Sequence, residues 1–331
     1  MAASLDDLTQ KVDSGDRLSD DEVALLGSSR DIIALGMLAS AVRRRLRGNT
    51  VTYLRVVDLS MDKGADLKVG PTGPTPVGPA VGPTGPTPVG PAGGTAVGPT
   101  PVGPTFRSAD SAGEVRIFGT PQTLDRAVAI VETARDVAGA VPLSAFCLFE
   151  LGKLPEGLPV VLAAVKQAGL DTIAQAPIDR LGEPERALES AADAGLAVAR
   201  VTVDQTPARD WTAVCREVAA LQTRLRTIRA FAPLARSIDA TQPTTGYDDV
   251  RRIAVARLLA DNIDTVQVDW TLYGPKLAQV ALTFGADDID SVPAVDDESQ
   301  GRRRSSVEDV RRSIRAAGFE PLERDGRWAI R

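Results

Sequence analysis

The chain has 331 residues, 43% hydrophobic and 25% charged, with a formal net charge of −6. This composition belongs to a folded chain long enough for one large core or two modest ones, and its acidic balance offers no field for nucleic acid. It has no histidine and two cysteines, Cys147 and Cys215. That excludes His-based triads, His-ligated zinc and haem, and cysteine-rich metal centres.

No apolar run approaches the ~18 residues of a membrane span. The acidic, polar start is not a signal peptide, so a cytoplasmic location with two buried thiols is expected. Residues 1–48 read as a helical segment. Ser19 and Glu22 have capping-box spacing, and apolar positions from Val23 to Val42 supply two short helices. Arg43, Arg44, Arg45 and Arg47 close the second as a solvated, basic helix end. Thr50–Leu59 is rich in β-branched residues and reads as a strand.

The composition then changes. VGPTGPTPVGPA at Val69–Ala80 recurs unchanged at Val81–Ala92, and a looser copy continues to Thr105. Gly and Pro at this density permit neither helix nor ladder strand, and the glycines keep no three-residue period, which excludes collagen. The tract at 69–105, inside a crossover spanning 60–113, reads as a disordered, partly polyproline II insertion.

From Glu114 the pattern is regular. Strands are predicted at Val115–Phe118, Leu143–Phe149, Thr172–Gln175, Ala197–Val203, Thr227–Phe231 and Thr265–Trp270, with a short segment at Asp287–Val292. Between them lie helices to about Ala138 (capped by Thr120), at Pro159–Gly169, Glu183–Gly195, Trp211–Leu225, Tyr247–Asn262 and Gly274–Phe284. A last helix at Ser306–Ala317, with a capping box at Ser305 and Glu308, leads into an extended tail. Repeated strand–helix alternation means parallel strands covered by helices. No G-x-G-x-x-G or G-x-x-x-x-G-K-[ST] favours a nucleotide-binding open sheet. The expected fold is α/β: a (β/α) TIM-type barrel, complete or partial, over 49–292, with the N-terminal helices before it and a C-terminal helix and tail at 293–331.

Such barrels bind ligands at the C-terminal ends of their strands. The polar residues expected there are Asp58, Glu150, Gln175, Asp204 with Gln205, and Gln267 with Asp269. They form a candidate carboxylate ring for a cation or for acid–base work; the bland alternative is that strand ends are polar because they meet solvent. Asp287 and Asp288 either bind or cap the chain. Neither cysteine has a histidine to activate it.

The segment GYDDVRRIAVARLLADNIDTVQVDWTLYGPKLAQVALTFGADDID, Gly246–Asp290, resembles the radical S-adenosylmethionine enzymes of the futalosine route to menaquinone, aminofutalosine synthase above all. Asp248–Arg251, Ala254–Leu258, Asp261–Asn262, Trp270, Gly274–Gln279 and Phe284–Asp288 carry the resemblance. Ser19–Leu54, Phe231–Ala235 and Arg315–Asp325 extend it more weakly. The resemblance implies a (β/α) barrel and a C-x-x-x-C-x-x-C loop after the first strand, whose three thiolates hold a [4Fe–4S] cluster. Here that loop falls in 60–105, which has no cysteine, and the double-glycine turn expected after the second strand is reduced to Phe118-Gly119.

The expected cofactor is therefore none: no [4Fe–4S] cluster, no metal, and no binding of S-adenosylmethionine. The expected function is that of a non-catalytic homologue, a binding or assembly partner of an intact radical paralogue in the pathway, with neither nucleic acid nor membrane as partner. The alternative is a repurposed, cluster-free barrel enzyme acting through the strand-end carboxylates on a small anionic or nucleoside-like substrate.

Overall fold

The computed structural model describes residues 5–16, 18–29, 31–61, 67–69, 111–205, 211–237, 245–294 and 307–331. Most of the Gly/Pro/Thr/Val repeat, the loop expected to hold the cluster, and Ser305 lie outside them.

Helices α1 (Leu5–Ser14), α2 (Asp20–Ser28) and α3 (Ile32–Arg47) precede β1 (Thr50–Met61), so the N-terminal segment has three helices rather than two. The Ser19–Glu22 capping box forms as expected. The basic helix end is only partly solvated. Arg43 is fully buried; it donates to the carbonyls of Ala286, Gly48 and Thr50 and lies 3.8 Å from the Phe319 ring centroid. A guanidinium with three carbonyl acceptors and an aromatic face can leave water, and burial lowers its pKa to about 10.

Beyond β1, β2 (Leu67–Val69) pairs antiparallel with the end of β1. The alternating region holds β3 (Glu114–Phe118), α4 (Leu124–Ala138), β4 (Leu143–Cys147), α5 (Leu148–Leu151), α6 (Leu158–Gln167), β5 (Thr172–Pro177), α7 (Pro184–Asp193), β6 (Ala197–Val198), β7 (Val201–Val203), α8 (Trp211–Leu225), β8 (Ala230–Ala235), α9 (Gly246–Leu259), β9 (Thr265–Asp269), α10 (Trp270–Thr283), β10 (Asp288–Pro293), α11 (Val307–Ala316) and β11 (Glu320–Arg324). The spacing of Val214, Val218 and Leu221 turns one face of α8 inward, and all three are buried. On α4, Thr123 rather than Thr120 is the cap, its hydroxyl accepting from the Arg126 N–H at 3.2 Å. The Thr245–Asp248 capping box opens α9.

The strands close into an eight-position parallel barrel in the order β1, β3, β4, β5, β6 with β7, β8, β9, β10. The ring is sealed where β10 meets β1, with Thr52 opposite Asp288. The strand expected over Ala197–Val203 is broken at Ala199-Arg200 into β6 and β7, both paired with β5. The C-terminal tail supplies β11, which pairs with Thr50–Leu54 of β1, while β3 pairs with the later residues Val56–Ser60. Gly113 sits where these two partners meet. A Cβ there would stand 2.7 Å from the Arg324 carbonyl oxygen and 2.8 Å from Leu54 Cδ1, so the close approach requires glycine. Among the described residues, no helix is long and apolar enough to cross a membrane.

Candidate binding site at the barrel mouth

Polar side chains fill much of the barrel axis. At its lower end, the N-terminal end of the strands, Asp288 takes both edges of one guanidinium: Arg324 Nε at 2.6 Å and Nη2 at 2.7 Å. Thr52 Oγ1 and Gln267 Nε2 complete its shell at 2.5 and 2.8 Å. Trp328 covers Arg324, with Cζ 3.6 Å from the ring centroid. Burial pushes the Asp288 carboxyl up, but Arg324 and these hydrogen bonds outweigh it and hold the pKa below the usual range. Asp287 beside it pairs with buried Arg257 at 2.7 Å. Both aspartates thus anchor the barrel floor.

Higher up, Arg116 on β3 donates from Nε to Glu114 at 2.7 Å and from Nη1 and Nη2 to Asp290 on β10 at 3.2 and 2.9 Å. Ser144 Oγ donates to Glu114 at 2.6 Å. Despite burial, Arg116 and Arg200 hold the Glu114 carboxyl below the usual range. Asp269 at the end of β9 accepts from Ser291 Oγ at 2.9 Å and pairs with Arg236 at 3.1 Å. Its other oxygen accepts from the Leu272 N–H at 2.9 Å and caps α10. Burial pushes its carboxyl up, but Arg236, the Leu272 N–H, Arg200 and Ser291 together hold its pKa below the usual range.

Arg200, at the break between β6 and β7, enters the same interior and pairs through Nη1 with Asp290. It is 2% exposed, and its Nε and Nη2 have no hydrogen-bond partner. Burial, with Arg116 and Arg236 close by, drops its pKa well below the ordinary arginine value.

Above this layer, at the C-terminal ends of β3 to β8, a cavity of about 180 Å³ is lined by Cys147, Glu150, Gln175, Arg180, Thr202 and Arg236, among others. Thr202 Oγ1 and Gln175 Oε1 are buried without a hydrogen-bond partner. Phe146, also in the lining, has φ 62, a strained backbone for a bulky residue of the kind that clusters at binding sites. Arg180 spans Asp204 at 3.1 Å and Glu150 at 3.8 Å and lies 4.2 Å from the Phe149 ring centroid.

The expected ring of strand-end residues is divided. Glu150, Gln175 and Asp204 share the cavity. Asp269 reaches it through Arg236. Asp58 lies opposite Arg116 within the β1–β3 ladder, and Gln267 belongs to the floor. Gln205 uses its backbone N–H to bind Asp179. Cys147 is partly exposed and Cys215 is buried on α8; burial pushes the Cys147 thiol up, away from the thiolate. Attention to carboxylates missed Arg116, Arg200, Arg236 and Thr202. The signal for the interior arginine on β3 was present as charged residues alternating with apolar ones, Glu114-Val115-Arg116-Ile117, in a strand expected to be buried on both faces.

Residues 229–331 match the family described as the CofH/MqnC C-terminal region. The aminodeoxyfutalosine synthase of Streptomyces coelicolor is 38% identical over 96 residues, 27% of this chain and 25% of that enzyme. That of Thermus thermophilus is 37% identical over 108 residues, 29% and 28%. These matches span little more than a quarter of either relative. Among solved structures, methylornithine synthase superposes with a TM-score of 0.62 over 95% of this chain and 97% of that one, at 13% identity, a likeness of fold. Over its C-terminal third the chain is thus similar in sequence to the CofH/MqnC C-terminal region and to the aminodeoxyfutalosine synthases.

Proposed function

We propose that this chain is a non-catalytic homologue of the aminofutalosine synthase group, whose barrel serves as a binding or assembly partner of an intact enzyme of that pathway. One observation carries the reading: where the chain's two thiols stand. The relatives' cluster needs three thiolates from one short loop after the first strand. Here Cys147 ends β4, with its thiol held protonated by burial, Cys215 is enclosed on α8, and 60–113 contains no cysteine. These donors do not fit a [4Fe–4S] cluster, and no radical step is assigned to the chain.

The mouth favours binding over chemistry. Glu150 and Asp204, the carboxylates lining the cavity, are both engaged by Arg180, which speaks against the alternative of acid–base catalysis there. Anaerobic reconstitution with iron and sulfide, followed by EPR after reduction, should give no cluster signal; a reducible iron–sulfur signal overturns the reading. Affinity purification from the native host should recover a second, cysteine-bearing barrel protein. Recovery of the chain alone removes the partner half of the proposal.

A further inference from the structure

We propose that the groove between α11, β11 and the first half of β1 binds a molecule carrying adjacent phosphate groups, through Arg55, Arg311, Arg315 and Arg331. The groove lies on the outer wall of the barrel, where β11 pairs with Thr50–Leu54 near the floor, and so away from the mouth. The proposal is independent of whether the chain carries a cluster or works beside a partner.

Three elements deliver the arginines. On β1, Arg55 stands two residues beyond Tyr53, and both reach the Glu323 carboxylate of β11, at 2.8 and 3.1 Å. On α11, Arg311 and Arg315 are one turn apart and share a face. Arg331 is fixed through its backbone N–H, which donates to the Glu323 carbonyl at 2.9 Å. With Tyr53 and Glu323, the four arginines line an open groove of about 480 Å³. Their side chains are between 21% (Arg55) and 59% (Arg315) exposed, so a ligand in the groove can reach all four.

The charges in the groove do not balance. Glu323 is the one carboxylate side chain in the lining, and three cations share it: Arg55 at 2.8 Å, Arg331 at 3.4 Å and Arg311 at 3.7 Å. Glu308, outside the lining, takes Arg315 at 3.2 Å and Arg311 at 3.8 Å. Arg311 spends its Nε on the Tyr53 hydroxyl at 2.8 Å. Its two terminal nitrogens stand beyond hydrogen-bond distance of both carboxylates. Arg311 and Arg315 also repel each other along the helix. Solvated ion pairs of this kind add little to stability, so the fold does not account for the cluster. On a chain of net charge −6, cations gathered in a concave groove focus a positive field. Guanidinium forks match the paired oxygens of phosphate. Forks arriving from β1, α11 and the tail suit two linked phosphates better than a single small anion.

The test is calorimetric titration of the full chain, in metal-free buffer at fixed ionic strength, with pyrophosphate, ADP, sulfate and tetra-aspartate. Pyrophosphate should bind saturably and about tenfold or more tightly than sulfate. ADP binding tighter still marks the ligand as a nucleotide, and ADP binding more weakly marks it as free diphosphate. Arg311→Gln and Arg315→Gln should each weaken pyrophosphate binding about tenfold. Arg186→Gln, an exposed charge removed from α7, should leave it unchanged. Arg311 also holds Tyr53, so if Arg311→Gln does not fold, Arg315→Gln decides alone. Pyrophosphate binding no tighter than sulfate overturns the site, as does unchanged affinity in the folded groove variants. An equal loss in Arg186→Gln reduces the effect to general charge and overturns it too. Tetra-aspartate binding as tightly as pyrophosphate overturns the phosphate assignment in favour of an acidic protein segment. An iron–sulfur signal would end the non-catalytic reading and leave these titrations standing.

Discussion

Two arginines stand at different heights in the barrel. Arg324, on the floor, has every nitrogen engaged, a carboxylate gripped side-on and an indole lying over it. Arg200, near the mouth, is as deeply buried but holds Asp290 by one nitrogen and leaves its side-on edge without an acceptor. Leaving buried donors unmade costs about 1–3 kcal/mol each, so the upper arginine works against the fold while the lower one holds it together. Floors that are fully satisfied act as scaffold.

The largest expected effect comes from breaking the floor. Arg324→Met strands the Asp288 carboxylate in the interior and should cost about 3–5 kcal/mol in urea denaturation; a loss below about 1 kcal/mol would remove the contrast between the two arginines. The same pair sets a pH dependence. Asp288 is held below its unfolded pKa of about 3.9. Its contribution is therefore complete above that value and lost as pH falls through the lower, folded pKa. Asp288→Asn should be less stable than the parent at pH 7, with a shallower decline between pH 5 and about pH 2. Parallel acid limbs would show that the floor pair is not what titrates.

Gly113→Ala comes next. Its methyl group would press on the Arg324 carbonyl and Leu54, and about 1–3 kcal/mol of destabilisation is expected in the same assay. Thr245→Ala removes the cap of α9 and should lower stability by about 1 kcal/mol, a reference far from either arginine. The smallest change is expected at the mouth. Asp290 keeps both terminal nitrogens of Arg116 when Arg200 is removed, so Arg200→Met should shift stability by less than about 1 kcal/mol, or raise it. Melting curves of Arg200→Met and Arg324→Met measured side by side read the comparison directly. Equal losses would refute it.

The alternation of strands and helices was legible because each helix has an apolar face and a punctuating residue at its end. Trp211–Leu225 agrees to the residue. The break at Ala199-Arg200 was not legible: Ala197–Val203 holds four β-branched residues and no Gly or Pro to mark an interruption, and an arginine entering a barrel leaves no periodic trace. The first turn of α10 was hidden for a different reason. Gly274, with φ 79, breaks α10, and a helical segment does start at Pro275 behind it as the Gly-Pro pair predicts; what the pair concealed is the preceding turn from Trp270, behind the Asp269 cap. Three residues within the segments that carry the family resemblance, Arg257, Asp287 and Asp288, belong to the floor. The sequence therefore advertised the scaffold. The mouth depends on which donors find no acceptor, and that exists only once strands from distant parts of the chain converge.

The position of β11 ties the order of folding to the order of synthesis. The first strand receives part of its edge from residues about 270 positions later, as the Tyr53–Glu323 hydrogen bond illustrates. Contacts of such long sequence separation form slowly. Emerging from the ribosome, β1 waits with unpaired backbone groups until nearly the whole chain described here has appeared, and such bare strand edges recruit other chains. Chaperone demand should accordingly peak late in translation, and a nascent chain stopped before Glu320 should be far more prone to aggregate than one released after Arg324.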